Sequence, residues 1–300
     1  MSPTQAREVM LLVNPTSGRG RALKLSEATE KALRSAGYAP TVTVTENLEE
    51  ATERAAHASP GTMVASLGGD GFLGAAAGGA RQSGAVLLPL AGGRGNDTVR
   101  RLGLPVDPVE TVASISTLVV RDVDLGLVNG RPYFGVANVG FDGLANQYGN
   151  DAKLNLGSFT YLYGGLKALR EWKNVTFTVV VDGQESTFPG WFVAVGNVGQ
   201  YGGGLHICPE AKVNDGLLDV VSLGEASIFR VVATFLASFR GGHLQRPGIS
   251  FVRGKEIRIH ANKPLSIFAD GEMLGPLPAT MTIEQASVRV LVPGNSSVFQ

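Results

Sequence analysis

Cysteine is nearly absent from this 300-residue sequence, in which Cys208 stands alone. One cysteine provides neither a disulfide framework nor a thiolate metal site, so we expect Cys208 to be a small core residue. Histidine is also scarce: the 4 histidines are scattered, without HExxH or a similar metal-binding spacing. These absences exclude a disulfide-stapled fold and the histidine-rich metal sites that a motif would reveal.

An excess of charge is missing as well. Lysine and arginine number 26 and so do aspartate and glutamate, which gives a formal net charge of zero. The sequence therefore lacks the electrostatic footprint of a nucleic-acid-binding protein, and we expect no nucleic-acid partner. No apolar run approaches the roughly 20 residues of a membrane span, and no signal segment opens the chain. We expect no transmembrane segment and a cytoplasmic location.

Glycine, by contrast, is abundant, with 40 residues that cluster at expected turns. Three glycine-rich turns, at residues 14–20, 68–71 and 91–97, follow apolar runs typical of buried strands. Strands and helices alternate as far as about residue 122, which predicts an α/β domain with helices on both faces of a parallel sheet. Ligands bind such sheets at the carboxyl ends of the strands, so we expect the three turns to converge on one ligand.

After about residue 123 the pattern changes to short strands, several with period-two alternation, and the hairpin signals Asn129-Gly130 and Asp182-Gly183. This pattern predicts an antiparallel β-sandwich interrupted by helices at residues 159–172 and 228–239. The apolar stripe of the second helix is predicted to be a core face. Membrane contact is the less favoured alternative, because few cationic residues lie beside the stripe. The predicted domains are residues 1–122 and 123–300, with the site in their cleft.

The turn at residues 68–71 is the candidate site on which the rest depends. Gly68, Gly69 and Gly71 have no Cβ, so a phosphate can approach their backbone, and the following helix dipole favours an anion. The Asp70 carboxylate would repel bare phosphate, which indicates a bound cation and hence a magnesium–nucleotide site. For these four residues alone, a plain turn with Asp70 as the helix cap is an equal alternative.

Two common nucleotide fingerprints do not apply. The GxxxxGK[ST] spacing of a P-loop is missing. The GxGxxG match at residues 69–74 follows the third predicted strand rather than the first. No acidic residue between Asp70 and Asp97 could bind a ribose there. We therefore discount a dinucleotide site.

Seven different short motifs follow one another along nearly the whole chain. They are Asn14-Pro15 with Ser17-Gly18, Thr45, Gly68-Gly69-Asp70-Gly71, Gly95-Asn96-Asp97, Gly140-Phe141-Asp142, residues 202–219 with Asn214-Asp215-Gly216, and Asp270-Gly271-Glu272. This series resembles the motifs of bacterial diacylglycerol kinases and related lipid kinases, cousins of the sphingosine kinases. The resemblance implies a three-layer, Rossmann-like α/β domain, as in NAD kinases and phosphofructokinases, followed by an antiparallel β-sandwich domain.

The resemblance implies phosphoryl transfer from ATP, with Mg²⁺, to a lipid hydroxyl, with diacylglycerol as the main candidate acceptor. Such a reaction needs positioning and charge neutralisation more than covalent help from the protein. Glu272 is implied as the proton acceptor, with Asp70 at the magnesium and Asp270 either positioning Glu272 or acting on it as a like charge. The implied nucleotide-binding residues are Asn14, Pro15, Ser17, Gly18, Thr45, Gly68, Gly69, Asp70, Gly71, Arg94, Asn96 and Asp97.

A second, structural Mg²⁺ is implied at Lys212, Asp215 and Leu217, through two backbone carbonyls and one carboxylate. The alternative is a plain turn in which Asp215 caps its own backbone. The resemblance also suggests that Asp142 orients the lipid head and that residues 146–157 form a lip over the cleft. A loop cap and an inert surface loop are the respective alternatives.

The sequence departs from the resembled pattern at Phe72, where threonine is usual, and at Gly74 with Ala75, where many members have Asn-Glu. It also departs at Arg94, which replaces a threonine and is itself a candidate phosphate ligand. These departures leave other functions open: a kinase for another lipid such as a sphingoid base or monoacylglycerol, a kinase for a soluble polyol, or a non-catalytic nucleotide- or lipid-binding protein. A lipid substrate implies transient contact with the inner face of the membrane. A homodimer also stays open.

Overall fold

The computed structural model describes residues 7–141, 172 and 175–299. Asp142, the segment 146–157 and the predicted helix 159–172, except for Trp172, therefore lie outside the described residues.

The N-terminal part is an α/β domain, as the alternating pattern predicts. Four parallel strands are ordered β2-β1-β3-β4. Side chains of α1 and α5 pack on one face of this sheet, and those of α2 and α3 pack on the other. The elements are β1 (Arg7–Val13), α1 (Arg21–Ser35), β2 (Tyr38–Val44), α2 (Leu48–Ala56), β3 (Met63–Gly68), α3 (Asp70–Ser83), β4 (Val86–Ala91), α4 (Asp97–Arg101) and α5 (Pro108–Ala113).

The C-terminal part is β-sandwich-like and mostly antiparallel. Two predicted hairpins are confirmed, since Val128 pairs with Arg131 and Val181 pairs with Gln184 across two-residue turns with positive φ. The elements are β5 (Leu118–Val128), β6 (Arg131–Tyr133), β7 (Val136–Gly140), β8 (Val175–Val181), β9 (Gln184–Gly196), β10 (Leu218–Gly224), α6 (Ile228–Ser238), β11 (Ile249–Gly254), β12 (Glu256–Ala261), β13 (Ser266–Ala269), β14 (Glu272–Pro276) and β15 (Ala279–Pro293).

The last strand connects the two parts. The first half of β15 pairs with β12, while its second half runs parallel to β4 of the N-terminal sheet, with Val290 opposite Leu87. Strand β5 pairs antiparallel with both halves of β15. The predicted boundary between residues 122 and 123 thus falls inside a continuous strand, and the boundary itself stays a prediction.

The core contains Cys208, which is fully buried as the sequence predicts. Burial raises the pKa of its thiol well above the usual value, which suits an inert core residue.

The predicted core face of α6 is wrong. The helix forms where the sequence predicts it, but its buried residues are Val231, Thr234 and Ser238. Most of its large apolar side chains are exposed instead, with Phe229 83% and Leu236 62% exposed. Within the described residues, no helix is both long and apolar enough to cross a bilayer.

Candidate active site

The three glycine-rich turns meet, as the sequence predicts. The carbonyl oxygen of Gly68 accepts hydrogen bonds from the N–H groups of Gly92 (2.7 Å) and Gly93 (2.9 Å). The N–H of Gly69 donates to Ser17 Oγ at 3.2 Å. At Gly18, φ is +60° and an added Cβ would lie 2.5 Å from the Gly92 carbonyl oxygen, so glycine is required there. Backbone contacts between the turns therefore build one glycine-lined surface.

Polar side chains within these turns hold the backbone. Asn14 Oδ1 accepts from the N–H of Thr16 at 3.0 Å, closing the first turn beside the partly buried Pro15. Asn96 is buried with φ +50° and exchanges two hydrogen bonds with the Gly93 backbone. Both asparagines thus shape the surface that a phosphate would meet.

Thr45 and Arg94, two other predicted nucleotide ligands, differ in exposure. Thr45 follows β2, is 2% exposed, and directs its hydroxyl at the Val13 carbonyl oxygen at 3.4 Å. Arg94 is exposed, and in the described part of the chain no hydrogen bond or ion pair is recorded for it. Arg94 is therefore available to an anion, whereas Thr45 already has a backbone partner.

Asp70 is the first residue of α3 and connects the second turn to the third. Its two carboxylate oxygens accept the N–H groups of Asp97 (3.2 Å) and Thr98 (2.9 Å), at the start of α4. An added Cβ on Gly95 would lie 2.8 Å from an Asp97 oxygen and 3.5 Å from an Asp70 oxygen. The two carboxylates are therefore close neighbours at the carboxyl end of the parallel sheet.

Asp97 joins the α/β domain to the β-sandwich. Its carboxylate accepts Gln200 Nε2 at 3.2 Å and the Gly203 N–H at 2.7 Å. Burial raises the pKa of Asp97 and the charge of Asp70 adds to the rise, while the bonds from Gly203 and Gln200 oppose it. The glycine-rich segment at residues 202–204 thus contacts the nucleotide-side carboxylates directly.

Asp270 lies in the turn between β13 and β14, with φ +51°. Its carboxylate accepts the N–H groups of Phe134 (2.7 Å), Gly135 (2.9 Å) and Val136 (3.2 Å). Burial raises the pKa of Asp270 to about 7 and the charge of Asp70 contributes, although the three N–H groups favour the ionised form. Asp270 therefore holds the β6–β7 turn and also fixes the β13–β14 turn in which it lies.

Glu272 begins β14 and is exposed. Its side chain passes over Gly71 in the first turn of α3: an added Cβ on Gly71 would lie 2.9 Å from Glu272 Cγ and 3.2 Å from the Asp270 carbonyl oxygen. The fold therefore brings Asp70, Gly71, Asp270 and Glu272 together at the start of one helix. An accessible carboxylate beside a helix N-terminus can accept a proton from a hydroxyl bound there.

The departures from the family pattern have structural consequences. Phe72 is 2% exposed and its ring packs on Gly68, where an added Cβ would overlap it. Gly74 lies beside Asp270, since a Cβ added to Gly74 would lie 3.2 Å from an Asp270 carboxylate oxygen. Ala75 is buried, with its carbonyl oxygen accepting the Thr52 hydroxyl at 3.0 Å. Phe72 and Ala75 thus fill the core behind the site, whereas Gly74 leaves space beside the Asp270 carboxylate.

The predicted structural metal residues lie in the turn before β10. Asp215 Oδ1 accepts the Leu217 N–H at 3.0 Å, the self-capping arrangement that the plain-turn alternative describes, and Lys212 is exposed. Burial is the main cause that raises the pKa of Asp124 and brings that of Asp219 to about 6, and the charge of Asp215 contributes to both. A cation here would relieve that repulsion, so the donor set suits a hard ion.

The donors beside α3 suit magnesium bound to a nucleotide. In the parts of the chain that the structure describes, no three acidic, histidine or cysteine side chains form a ready-made metal cage. Magnesium is commonly held by one or two carboxylates together with water and substrate phosphates. Asp70 and Asp97 supply such carboxylates beside the glycine-rich turns.

The sequence analysis missed several residues that hold the site together. Asp124 is fully buried and accepts the N–H groups of Gly216 (2.7 Å) and Ala286 (2.8 Å), which ties β5 to the 212–217 turn and to β15. Gln200 and the Phe134–Val136 backbone were also missed. An aspartate inside the apolar run 123–128 is the one signal that could have revealed Asp124.

Comparisons with known proteins agree with this geometry. The family model described as the diacylglycerol kinase catalytic domain matches residues 8–128, and the one described as the YegS C-terminal NAD kinase beta sandwich-like domain matches residues 135–292. A Mycobacterium tuberculosis protein named diacylglycerol kinase is 32% identical over 95% of both chains. A Pseudomonas aeruginosa protein named as a YegS-like lipid kinase is 32% identical over 83% of this chain and 82% of its own.

A solved structure gives the same fold. A crystal structure of a diacylglycerol kinase from Bacillus anthracis covers 98% of this chain and 99% of its own, with a TM-score of 0.71 and 20% sequence identity.

Proposed function

This chain belongs to the diacylglycerol kinase family of lipid kinases, and from that premise we propose that it transfers the γ-phosphoryl group of ATP to the free hydroxyl of diacylglycerol. The products are ADP and phosphatidic acid. Kinases of this family are phosphotransferases, which implies ATP and commonly a divalent metal. The observation that carries the proposal is the meeting of Asp70, Glu272 and three glycine-rich turns at the start of α3.

Each group of residues has a separate task in the proposed reaction. The glycine turns bind the nucleotide phosphates through backbone N–H groups, with Arg94 as an added cationic ligand. Glu272 accepts the hydroxyl proton as the new oxygen–phosphorus bond forms and the bond to the β-phosphate oxygen breaks. Asp270 lies two residues before Glu272, and its carboxylate accepts hydrogen bonds from three backbone N–H groups. These bonds fix the turn, so Asp270 positions Glu272. Asp70 would help to hold a magnesium ion, which would supply charge neutralisation at the nucleotide phosphates.

We also propose that Asp215, with the carbonyl groups of Lys212 and Leu217, holds a second cation that stabilises the fold. The charge of Asp215 supports this assignment because it contributes to the raised pKa of both Asp124 and Asp219, the latter also being paired with Arg253 Nε at 2.8 Å. Titration of the chelator-treated protein with Mg²⁺, followed by thermal unfolding, tests it. The wild type is expected to gain stability with Mg²⁺ and Asp215→Asn to gain much less. An equal gain in both would contradict the assignment.

Transfer of labelled phosphate from Mg·ATP to diacylglycerol in mixed micelles tests the main proposal. Asp70→Asn and Glu272→Gln are each expected to reduce kcat by at least about 100-fold while leaving the fold intact. Glu185→Gln serves as the matched control, because Glu185 is exposed and lies beside the hairpin turn at residues 182–183. If both site variants retained full turnover, the assignment of the active site would be wrong.

The same assay ranks acceptors. Sphingosine and monoacylglycerol are presented beside diacylglycerol at equal surface concentration, and the highest kcat/KM identifies the preferred lipid. We expect diacylglycerol to rank first. A higher value for sphingosine would keep the reaction class and replace the acceptor.

A further inference from the structure

Helix α6 exposes an apolar face that the domain core leaves uncovered. Its buried residues, Val231, Thr234 and Ser238, form a narrow stripe on the side that faces the protein. On the opposite side, large apolar residues occupy an arc of about 120° around the helix axis. These are Ile228 (38% exposed), Phe229 (83%), Val232 (45%), Phe235 (50%), Leu236 (62%) and Phe239 (44%).

The stretch of chain that carries this face is rich in positive charge, although the exposed Glu225 lies just before the helix. Residues 226–255 contain no aspartate or glutamate, although acids and bases balance over the whole chain. Arg230, Arg240 and Arg246 are exposed within this stretch. Among the residues that the structure describes, no acidic group is recorded within 4.0 Å of these three guanidinium groups. An apolar face flanked by unpaired arginines complements an anionic phospholipid surface.

The helix is attached firmly to the neighbourhood of the site. Trp191 Nε1 donates to the Ala226 carbonyl oxygen at 3.0 Å just before the helix begins, and its indole stacks on Trp172 with ring centroids 6.1 Å apart. At the other end, the Ser238 carbonyl oxygen accepts the His206 N–H at 3.0 Å. The residues that precede His206 include Gly203, which binds Asp97. The C-terminal end of α6 is thus connected to Asp97 of the candidate active site through the backbone of residues 203–206.

We propose that α6 docks this protein on an anionic bilayer, with the apolar face at the level of the acyl-chain boundary and the arginines at the headgroup phosphates. The biological purpose rests on the proposed function, because a lipid acceptor must be reached from the bilayer surface. The bilayer is the occupant we favour over a second copy of the chain, because anionic headgroups can pair with all three exposed arginines, Arg230, Arg240 and Arg246.

Vesicle flotation measures the docking without involving catalysis. The vesicles contain phosphatidylcholine alone, or phosphatidylcholine with phosphatidylglycerol, and carry neither diacylglycerol nor nucleotide. We expect the wild type to bind the anionic vesicles and to be released by high salt. The double variant Phe229→Ser/Leu236→Ser is expected to bind at least tenfold more weakly. Val120→Ser, at an exposed apolar position on β5, is the matched control and is expected to bind like the wild type.

The outcomes separate the occupants of the face. Equal vesicle binding by the wild type and the double variant would overturn the proposal, as would a wild type that ignores anionic vesicles. So would a wild-type dimer that the double variant converts to a monomer while vesicle binding is unchanged. Arg230→Gln/Arg240→Gln is expected to reduce binding to anionic vesicles and to lose most of the salt dependence.

A second measurement keeps this proposal distinct from the proposed function. The double variant is expected to phosphorylate a short-chain, water-soluble diacylglycerol within about twofold of the wild type. It is expected to lose at least tenfold in activity toward long-chain diacylglycerol in anionic vesicles. If the wild type fails on both acceptors yet floats with vesicles, the kinase assignment fails and the docking surface stands.

Discussion

At the scale of single residues, Gly71 directly affects the position of the proposed proton acceptor, Glu272. It lies in the first turn of α3, where the Glu272 side chain passes over it, and a Cβ there would meet Glu272 Cγ at 2.9 Å. Alanine is the better helix former by about 1 kcal/mol. An alanine at position 71 is therefore expected to favour the helix while displacing the Glu272 side chain, so its effects on stability and on catalysis can be measured separately.

We predict that Gly71→Ala lowers kcat roughly 10–100-fold, because it displaces Glu272 by a fraction of an ångström to one ångström. The free energy of unfolding, measured in urea, is expected to stay equal or to rise. In the Glu272→Gln background the same substitution should change kcat little, since the group it displaces no longer accepts a proton. A loss of equal size in both backgrounds would show that Gly71 acts without Glu272.

Asp270 predicts a pH dependence with a definite sign. Its pKa is about 7 in the folded protein against a usual 3.8, chiefly because it is buried and further because of Asp70. Between these values the folded state binds more protons than the unfolded state, so the free energy of unfolding contributed by this group falls as pH rises from about 4 to about 7. Asparagine cannot titrate and removes that contribution.

Urea unfolding in a chelator-containing buffer checks this prediction. From about pH 5 to about pH 7.5 the wild type is expected to lose roughly 2 kcal/mol more stability than Asp270→Asn. Other buried carboxyls, such as Asp97, change in both proteins and cancel in the comparison. Parallel pH profiles for the two proteins would mean that Asp270 stays ionised throughout.

Residue types revealed part of the site in advance. The three glycine turns and Asp70 stand out in the sequence because glycine-rich turns after apolar runs are typical of ligand-binding loops, whereas Asp270-Gly271-Glu272 alone would predict only a hairpin turn, and the family resemblance singled out Glu272. Gln200 was missed because its partner, Asp97, lies about a hundred residues away in the chain, and sequence spacing carries no signal for such a contact. Asp124 was missed because a buried aspartate in a strand reads as an interruption of an apolar run.

At the scale of elements, α3 shows how a departure from the family pattern is absorbed. Its residues from Phe72 to Ala80 are all buried, and most are alanine or glycine, so the helix lies close to the sheet. Phe72 is the one large ring there and covers Gly68. The ring thus occupies volume that the smaller side chain usual in the family would leave.

We predict that Phe72→Thr destabilises the protein rather than improving its activity. The lost ring leaves a cavity and the hydroxyl is buried beside it, which costs roughly 3 kcal/mol. Phe72→Leu, which keeps an apolar side chain, is expected to cost about 1 kcal/mol. Thermal unfolding and kcat on both variants provide the measurement. A stable Phe72→Thr protein with raised kcat would show that the phenylalanine limits catalysis.

Element type was predictable and element environment was not. Strands with continuous apolar residues and the Asn-Gly and Asp-Gly hairpins were correct because local pattern and turn chemistry determine them. Strands β11 and β14 were not among the strands that the sequence pattern predicts; each pairs with one neighbour only, and such edge strands need less apolar patterning. The stripe on α6 has helical periodicity, but periodicity does not show whether a protein core or another medium covers the apolar face.

At the scale of the whole molecule, the two domains share one hydrogen-bonded sheet. Strand β15 begins against β12 and ends against β4, so the end of the chain completes the N-terminal sheet. The sequence divides near residue 122 by composition, since the first part alternates helix and strand and the second does not. The sequence does not reveal that residues 286–293 pair with the N-terminal sheet, because pairing between strands so far apart in the chain leaves no local pattern.

We predict that a fragment of residues 1–122 does not fold cooperatively. It lacks β15, whose removal leaves the β4 edge unpaired, and it lacks Val288, Val290 and Val292, which pack in the core with α2 and α3. Circular dichroism in urea and size-exclusion chromatography are expected to show a broad transition and aggregation. A chain of residues 1–128 joined by a flexible linker to residues 279–299 restores the strand and is expected to unfold in one sharp transition. If the shorter fragment unfolded just as sharply, the returning strand would be dispensable and the α/β domain would be an independent folding unit.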